Sequence, residues 1–281
     1  MKTHTKLHSL LAPLLSLGLL LSACASGTGI AQTNERQAKA QAMFAVRCKT
    51  AGEKIYKTVE NVEGIYLMKL RPGEVNYGDQ FKLDDPYGHD SGGDRYILNF
   101  LRGFHHQSTV EPFPGSPPRV GYHYVEAIYS KDGKRYRYTG GIKEVTHTSS
   151  ILMGGDGKTT FKTKDFVLER VPAPGPAPRY GVTYDDISTR EERDYWIAGS
   201  SLKVIDLQTN EVIAERIGYM VDWAQGSQAG GRSPWLLAAN NACPGFQRNP
   251  LRQIPPGRGS SAQISQTLDF VEKVLKPTLK K

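Results

Sequence analysis

Apolar positions follow a helical period near both ends of the chain and read as strands in between. Ala42, Ala45 and Val46 share one side of a segment that starts at Asn34, and Ile55 and Val59 continue it. A glycine costs about 1 kcal/mol in a helix interior, so a break is expected at Gly52. Gly64 to Leu70 is a short apolar run of strand formers that stops at Arg71-Pro72-Gly73. Residues 77–94 are polar and glycine-rich and predict a long loop, 95–104 a strand, and 112–118 another loop. Residues 121–130 and 134–140 flank Lys131-Asp132-Gly133, a hairpin turn signal, and Tyr136 and Tyr138 alternate with Arg135 and Arg137. One face of that strand is aromatic and the other cationic. Residues 161–171 predict a further strand, followed by the stiff stretch Pro172 to Pro178. The cleanest hairpin joins Leu202–Leu207 to Glu211–Val221 across Gln208-Thr209-Asn210, with Ile217, Tyr219 and Val221 on one face. After a Gly-, Pro- and Asn-rich region, Ser260 or Ser261 opens a helix lined by Ile264, Leu268, Val271 and Leu275, and Pro277 ends it. No fixed repeat occurs. The expected fold is α+β: a mainly antiparallel β-sheet with helices near the N- and C-terminal ends.

The first residues carry a different signal. Lys2 and Lys6 precede an apolar run, Leu10 to Leu21, too short to cross a bilayer as a helix. The run ends in Leu21-Ser22-Ala23-Cys24, which resembles the lipobox of bacterial lipoproteins. The resemblance implies cleavage before Cys24 and acylation of that cysteine, which would hold the protein on a lipid bilayer. Ala25, rather than Asp, after the cysteine favours the outer membrane, on its periplasmic side. On this reading residues 1–23 are a leader, 24–40 a flexible tether, and 41–281 a single globular α+β domain. The alternative is a plain secretory leader cut near Ala25.

Composition narrows the classes. A mean hydropathy of −0.46 excludes a multi-span helical membrane protein. The net charge of +8 is spread thinly along 281 residues, without the basic stripe that nucleic-acid binding requires. Three cysteines exclude a disulfide-dense miniprotein and a four-cysteine zinc site. Once Cys24 is acylated, Cys48 and Cys243 remain, and an even pair in an oxidising compartment predicts a disulfide. Two buried free thiols are the alternative.

Known chemical signatures are scarce. Gly157-Lys158-Thr159 ends like a phosphate loop, but Leu152 stands where the first glycine is required, so a glycine-rich hairpin turn is expected. Neither G-x-S-x-G, H-E-x-x-H nor C-x-x-C occurs. His89, Asp90 and Asp94 could form a weak metal site, but their spacing fits no zinc or calcium motif; no metal or cofactor is expected. Asp185 and Asp186 could serve acid–base hydrolysis, though adjacent carboxylates more often cap a turn. Tyr184, Arg190, Arg193, Tyr195 and Trp196 combine aromatic area with charge ahead of a rigid hairpin, which suggests a partner-binding edge. The competing reading places Tyr195 and Trp196 at the start of a strand, facing the core.

The most distinctive text is Tyr180-Gly-Val-Thr-Tyr-Asp-Asp-Ile-Ser-Thr-Arg190, Tyr195-Trp-Ile-Ala-Gly-Ser-Ser201, Ser233-Pro-Trp-Leu236 and Asn241-Ala-Cys-Pro244. With Cys48-Lys-Thr-Ala-Gly-Glu-Lys54, it resembles a group of proteobacterial lipoproteins, some similar to immunity lipoproteins encoded beside type VI secretion lipase effectors. The resemblance covers about residues 43–245 and carries no contact residues across. It implies a non-enzymatic periplasmic protein that binds a secreted lipase. An envelope hydrolase acting on lipid or peptidoglycan is the second expectation, and an assembly or scaffold lipoprotein the third.

Overall fold

A computed structural model describes residues 34–73, 79–87, 92–105, 121–247 and 259–278. The elements run α1 (34–48), β1 (Gly52–Ile55), β2 (Val59–Val62), β3 (Gly64–Leu67), α2 (Asp94–His105), β4 (Tyr124–Ile128), β5 (Arg135–Thr148) and β6 (Thr160–Pro172). There follow β7 (Tyr180–Asp186), α3 (Arg190–Asp194), β8 (Ile197–Asp206), β9 (Glu211–Val221), α4 (Pro234–Ala238), β10 (Ala242–Cys243), α5 (Ser260–Gln263), α6 (Gln266–Val274) and β11 (Leu275–Pro277). The fold is α+β. One large sheet has the order β1-β9-β8-β7-β3-β4-β5-β6, and β10 also pairs with β9. It is antiparallel except around β3, which lies parallel to β4 and β7. β2 and β11 form a small parallel pair.

Register assigns the faces. Val125 lies opposite Tyr138, Tyr184 opposite Leu202, and Val182 opposite Val204, so these side chains share one face. That face is covered by Tyr96, Ile97, Phe100 and Leu101 of α2 and by Leu268, Phe270, Val271 and Val274 of α6. Fully burying such a side chain contributes about 1.5–3 kcal/mol. Tyr122 enters this core with its hydroxyl donating to the Leu275 carbonyl at 2.6 Å. Further along the same face, Ala198 and Met220 pack with Tyr87, Trp196, Trp235 and Phe246. The other face carries Ile197, Tyr219 and Val221 under Met43 and Phe44 of α1. The cationic side expected for β5 is present: Arg135 and Arg137 both pair with the buried Glu126, at 3.0 and 2.9 Å.

Several expectations are corrected. The first helix ends at Cys48, before the break expected at Gly52, and Gly52 instead opens β1; Ile55 and Val59 lie on strands, because residues 52–55 pair with β9 from Gly52↔Ile217 to Ile55↔Ala214. Residues 95–104 are helical, not extended. Their apolar residues fall at i, i+1, i+4 and i+5, a helical face, and the sheet supplies the surface they bury against. The last helix is broken into α5 and α6, Gly259 rather than a serine occupies its capping position, and Leu275 to Pro277 join the small sheet. α1 starts by residue 34, with Ala40 fully buried, so residues 34–40 belong to the folded body rather than to a tether. The loop expected at 112–118 lies outside the described residues.

Candidate interaction surface

The charged string before β8 does not form an open edge. Thr189 and Glu192 close a capping box, each side chain bonded to the other's backbone N–H, and this starts the short helix α3. One turn of helix turns Arg190 and Glu191 outward and Glu192 and Arg193 inward. Arg193 is 5% exposed; it donates to the Leu83 carbonyl, lies 3.9 Å from Asp186, and faces the Trp235 ring at 5.1 Å. Burial lowers the Arg193 pKa from its ordinary value and raises that of Asp186. Trp196 is buried against Trp235, ring centroids 4.9 Å apart. Tyr184 is fully buried and donates to the Leu70 carbonyl at 3.1 Å, and burial raises its pKa. The Arg71 guanidinium sits 3.9 Å from the Tyr184 ring and donates to Asp85 at 2.8 Å, where the Ser200 hydroxyl also donates. These charges hold segment 79–87 and α3 to the sheet. A surface formed by Tyr184, Arg193 and Trp196 is therefore corrected to an internal polar layer.

Two residues of the expected edge remain outward. Arg190 is exposed, 4.0 Å above the Phe81 ring. Tyr195 is half-buried between Arg36 and Lys39 of α1, at 4.6 and 4.9 Å from its ring centroid. Lys39 pairs with Glu191 at 2.8 Å, and that bond raises its pKa. Nothing local in the sequence linked Tyr195 to residues of α1.

The other candidate groups separate clearly. Cys48 and Cys243 form a disulfide, Cα atoms 5.6 Å apart, tying the end of α1 to β10. Cys24, His89 and Asp90 lie outside the described residues, and Asp94 sits in the first turn of α2. Among the described residues no group of three His, Cys, Asp or Glu side chains is placed to hold a metal ion. Asp185 and Asp186 are adjacent on β7 and point to opposite faces, so they do not form an acid–base pair. Asp185 meets Lys203 at 3.2 Å instead. A cleft of about 410 Å³ opens between the end of α1 and β9, lined by Lys49, Lys54, Glu53 and Glu215. Its Glu53 pairs with Lys273 at 2.7 Å and Arg216 at 3.7 Å.

The glycine-rich turn expected before Thr159 closes the hairpin of β5 and β6, whose length the sequence did not indicate. β5 pairs with β4 over residues 135–138, and residues 139–148 run on past Tyr124, paired with β6. Gly140 lets the Phe166 ring lie across the hairpin; a Cβ there would sit 2.5 Å from the ring. Lys162 meets Glu144 at 2.7 Å and His147 meets Asp165 at 2.5 Å along the stem. At the tip the Asp156 carboxylate accepts from the Lys158 and Thr159 amides, at 2.8 and 2.7 Å, and from the Ser149 and Thr159 hydroxyls. Those bonds hold its pKa far below the usual carboxylate range. Met153 and Gly155 amides donate to the Ser150 carbonyl at 3.0 and 2.8 Å. Gly154 and Gly157 adopt left-handed backbones, φ 81° and 69°, that close the loop. Ile151, Leu152 and Met153 stand outside this bonded loop, 73%, 96% and 88% exposed.

Comparison with protein-family models, characterised proteins and solved structures found no match. The exposed groups themselves must therefore carry the functional argument. Ile151, Leu152 and Met153 form three consecutive exposed aliphatic side chains at the end of the hairpin, on a loop ordered by its own hydrogen bonds. Ile151-Leu152-Met153 between serines and glycines was visible in the text, but as part of a turn it gave no sign of being the end of a finger.

Proposed function

We propose that this protein is a lipid-anchored envelope protein that binds and neutralises a secreted phospholipase, acting as an immunity protein rather than an enzyme. The projecting hairpin with its exposed aliphatic tip is the observation that carries this reading. Exposed apolar groups of this kind mark interaction sites, and a tip held by its own hydrogen bonds loses little entropy on docking. Burying the three side chains corresponds to roughly 5–9 kcal/mol before ordering costs. Acylated Cys24 would keep the protein on the periplasmic side of the outer membrane, where such an enzyme attacks.

The test uses a secreted phospholipase captured from secreted effectors with the mature protein, and vesicles of phosphatidylethanolamine and phosphatidylglycerol. One equivalent of the purified acylated protein should stop hydrolysis, and the protein alone should release no fatty acid. Unchanged hydrolysis, or lipid or peptidoglycan cleavage by the protein itself, would overturn the reading. Cys24→Ser should move the protein from the membrane to the soluble fraction.

A further inference from the structure

We infer that the outer edge of β6 takes up an acidic, extended segment of a partner protein as an added antiparallel strand. This edge is separate from the apolar tip on which the proposed function rests. Among the described residues β6 ends the order of the large sheet, and it is 13 residues long. It pairs with β5 without a register shift from Tyr136↔Pro172 to Thr148↔Thr160. Exposed edges of this length are ordinarily shortened, bulged or interrupted by proline, and the only proline of β6 is its last residue.

The bonds flanking the strand fix which of its backbone groups turn outward. The Ser149 amide donates to the Thr159 carbonyl at 2.8 Å, and the Ala173 amide donates to the Arg135 carbonyl at 3.0 Å. Bonded pairs recur at every second residue of an antiparallel ladder. Odd-numbered residues of β6 therefore bond to β5, and even-numbered residues turn their amides and carbonyls to the outer edge. Lys162, Lys164, Leu168 and Arg170 belong to the outward set, and their side chains share one face. An added strand would set its own bonded residues directly opposite them.

Charge selects the occupant. On that face of the hairpin stem Lys162, Lys164 and Arg170 meet one carboxylate, Glu144, which pairs with Lys162 at 2.7 Å. Asp165 and Glu169 lie on the other face and are already matched by His147 and Lys143 of β5. Lys164 and Arg170 are exposed and leave the edge cationic; Arg170 lies 3.6 Å from the Tyr129 ring centroid. A second copy of β6 fits poorly. Two-fold antiparallel registers centred on Lys164, Asp165, Phe166 or Val167 oppose, in turn, Lys164 to itself, Asp165 to itself, Lys162 to Arg170, and Lys164 to Arg170. Like charges directly opposite one another destabilise a strand pair. A strand with carboxylates opposite Lys162, Lys164 and Arg170 and an apolar residue opposite Leu168 matches the edge.

The probe is the peptide TETVTVTETET, in one-letter code, which places its glutamates opposite Arg170, Lys164 and Lys162 when it runs antiparallel to residues 161–171. Added to the full disulfide-bonded protein, it should slow hydrogen exchange of the Lys162, Lys164 and Leu168 amides, read by NMR. Affinity, read by fluorescence anisotropy, should fall at least about tenfold when lysines replace the three glutamates. Methylating the peptide nitrogens opposite Leu168 and Lys164 should abolish binding, and methylating the neighbouring threonine nitrogens, which point away, should not. Lys164→Glu should weaken the glutamate peptide and strengthen the lysine peptide, a pair of opposite changes that partial unfolding does not produce. No protection at millimolar peptide, equal affinity for the two peptides, or undiminished binding after methylation of the inward nitrogens would overturn the inference. Protection of the same amides in a dimer without peptide would overturn it in favour of a second copy.

Discussion

Reversing one arginine should strongly destabilise this protein, and reversing its neighbour three residues earlier should hardly affect it. Arg193 is 5% exposed and lies among Asp186, the Leu83 carbonyl and the Trp235 ring. Arg193→Glu removes the cation that faces Asp186, and breaking a buried pair this way costs about 3–5 kcal/mol. It also places a second carboxyl beside Asp186, whose pKa burial already raises. The shorter glutamate keeps its carboxylate farther from Asp186 than the guanidinium stands, so the repulsion stays below the roughly 4 kcal/mol of two charges about 4 Å apart at the effective dielectric of such a site, and protonation of one of them relieves part of it. A loss of at least about 4 kcal/mol is expected, from a total that for such domains is about 5–15 kcal/mol. Arg190→Glu loses an exposed contact with Phe81 and should cost about 0.5–1 kcal/mol. Urea denaturation followed by tryptophan fluorescence compares the two directly, since Trp196 and Trp235 report on the same cluster. Arg193→Met separates loss of the cation from added repulsion, and Arg193→Met with Asp186→Asn should recover stability relative to Arg193→Met alone. Equal urea midpoints for Arg193→Glu and Arg190→Glu would refute the buried placement of Arg193.

Reducing the Cys48–Cys243 bond, which spans 195 residues, should lower stability by roughly 5 kcal/mol in the loop-entropy model; a urea midpoint unaffected by reductant would contradict it. Alkaline pH should destabilise the fold. Burial pushes the Tyr87 hydroxyl up to about 12 and raises those of Tyr122 and Tyr184 above the ordinary value of 10.0. The folded state then holds protons that the unfolded chain releases, so this stability is complete below pH 10 and falls as pH rises beyond it. The slope reaches about 1.4 kcal/mol per pH unit for each such tyrosine. Urea midpoints at pH 8 and pH 11, with tyrosinate absorbance, check this; identical midpoints would refute it. Gly218→Ala places a methyl 1.9 Å from the Tyr87 oxygen and should cost about 1–3 kcal/mol, whereas Gly141→Ala meets nothing within 4 Å and should melt near wild type.

Local text determined the elements whose signals are local. The turn at 208–210, with Asn210 at φ 58°, and the alternation on either side of it predict β8 and β9 without reference to the rest of the chain. The Asp132-Gly133 turn and the alternating Arg135 and Arg137 do the same for β4 and β5. Counting cysteines named the pair Cys48 and Cys243, but only the packing of α1 against the end of β9 brings their sulfurs together. The run at 95–104 reads as a strand although Tyr96, Ile97, Phe100 and Leu101 already carry helical spacing, and the sheet face buries that stripe. The Thr189 to Glu192 spacing of a capping box stands in the sequence, where the segment reads instead as a charged edge. Whether Arg193 then meets water or Leu83, Asp186 and Trp235 depends on contacts formed 110 residues earlier and in α4. The exposure of Ile151 to Met153 is likewise a consequence of register, because β5 continues for ten residues after its pairing with β4 has ended. Periodicity and turn chemistry act over a few residues and can be read from the chain. Burial of a charge or exposure of an apolar tip depends on which distant segments cover it, and that is set by tertiary structure.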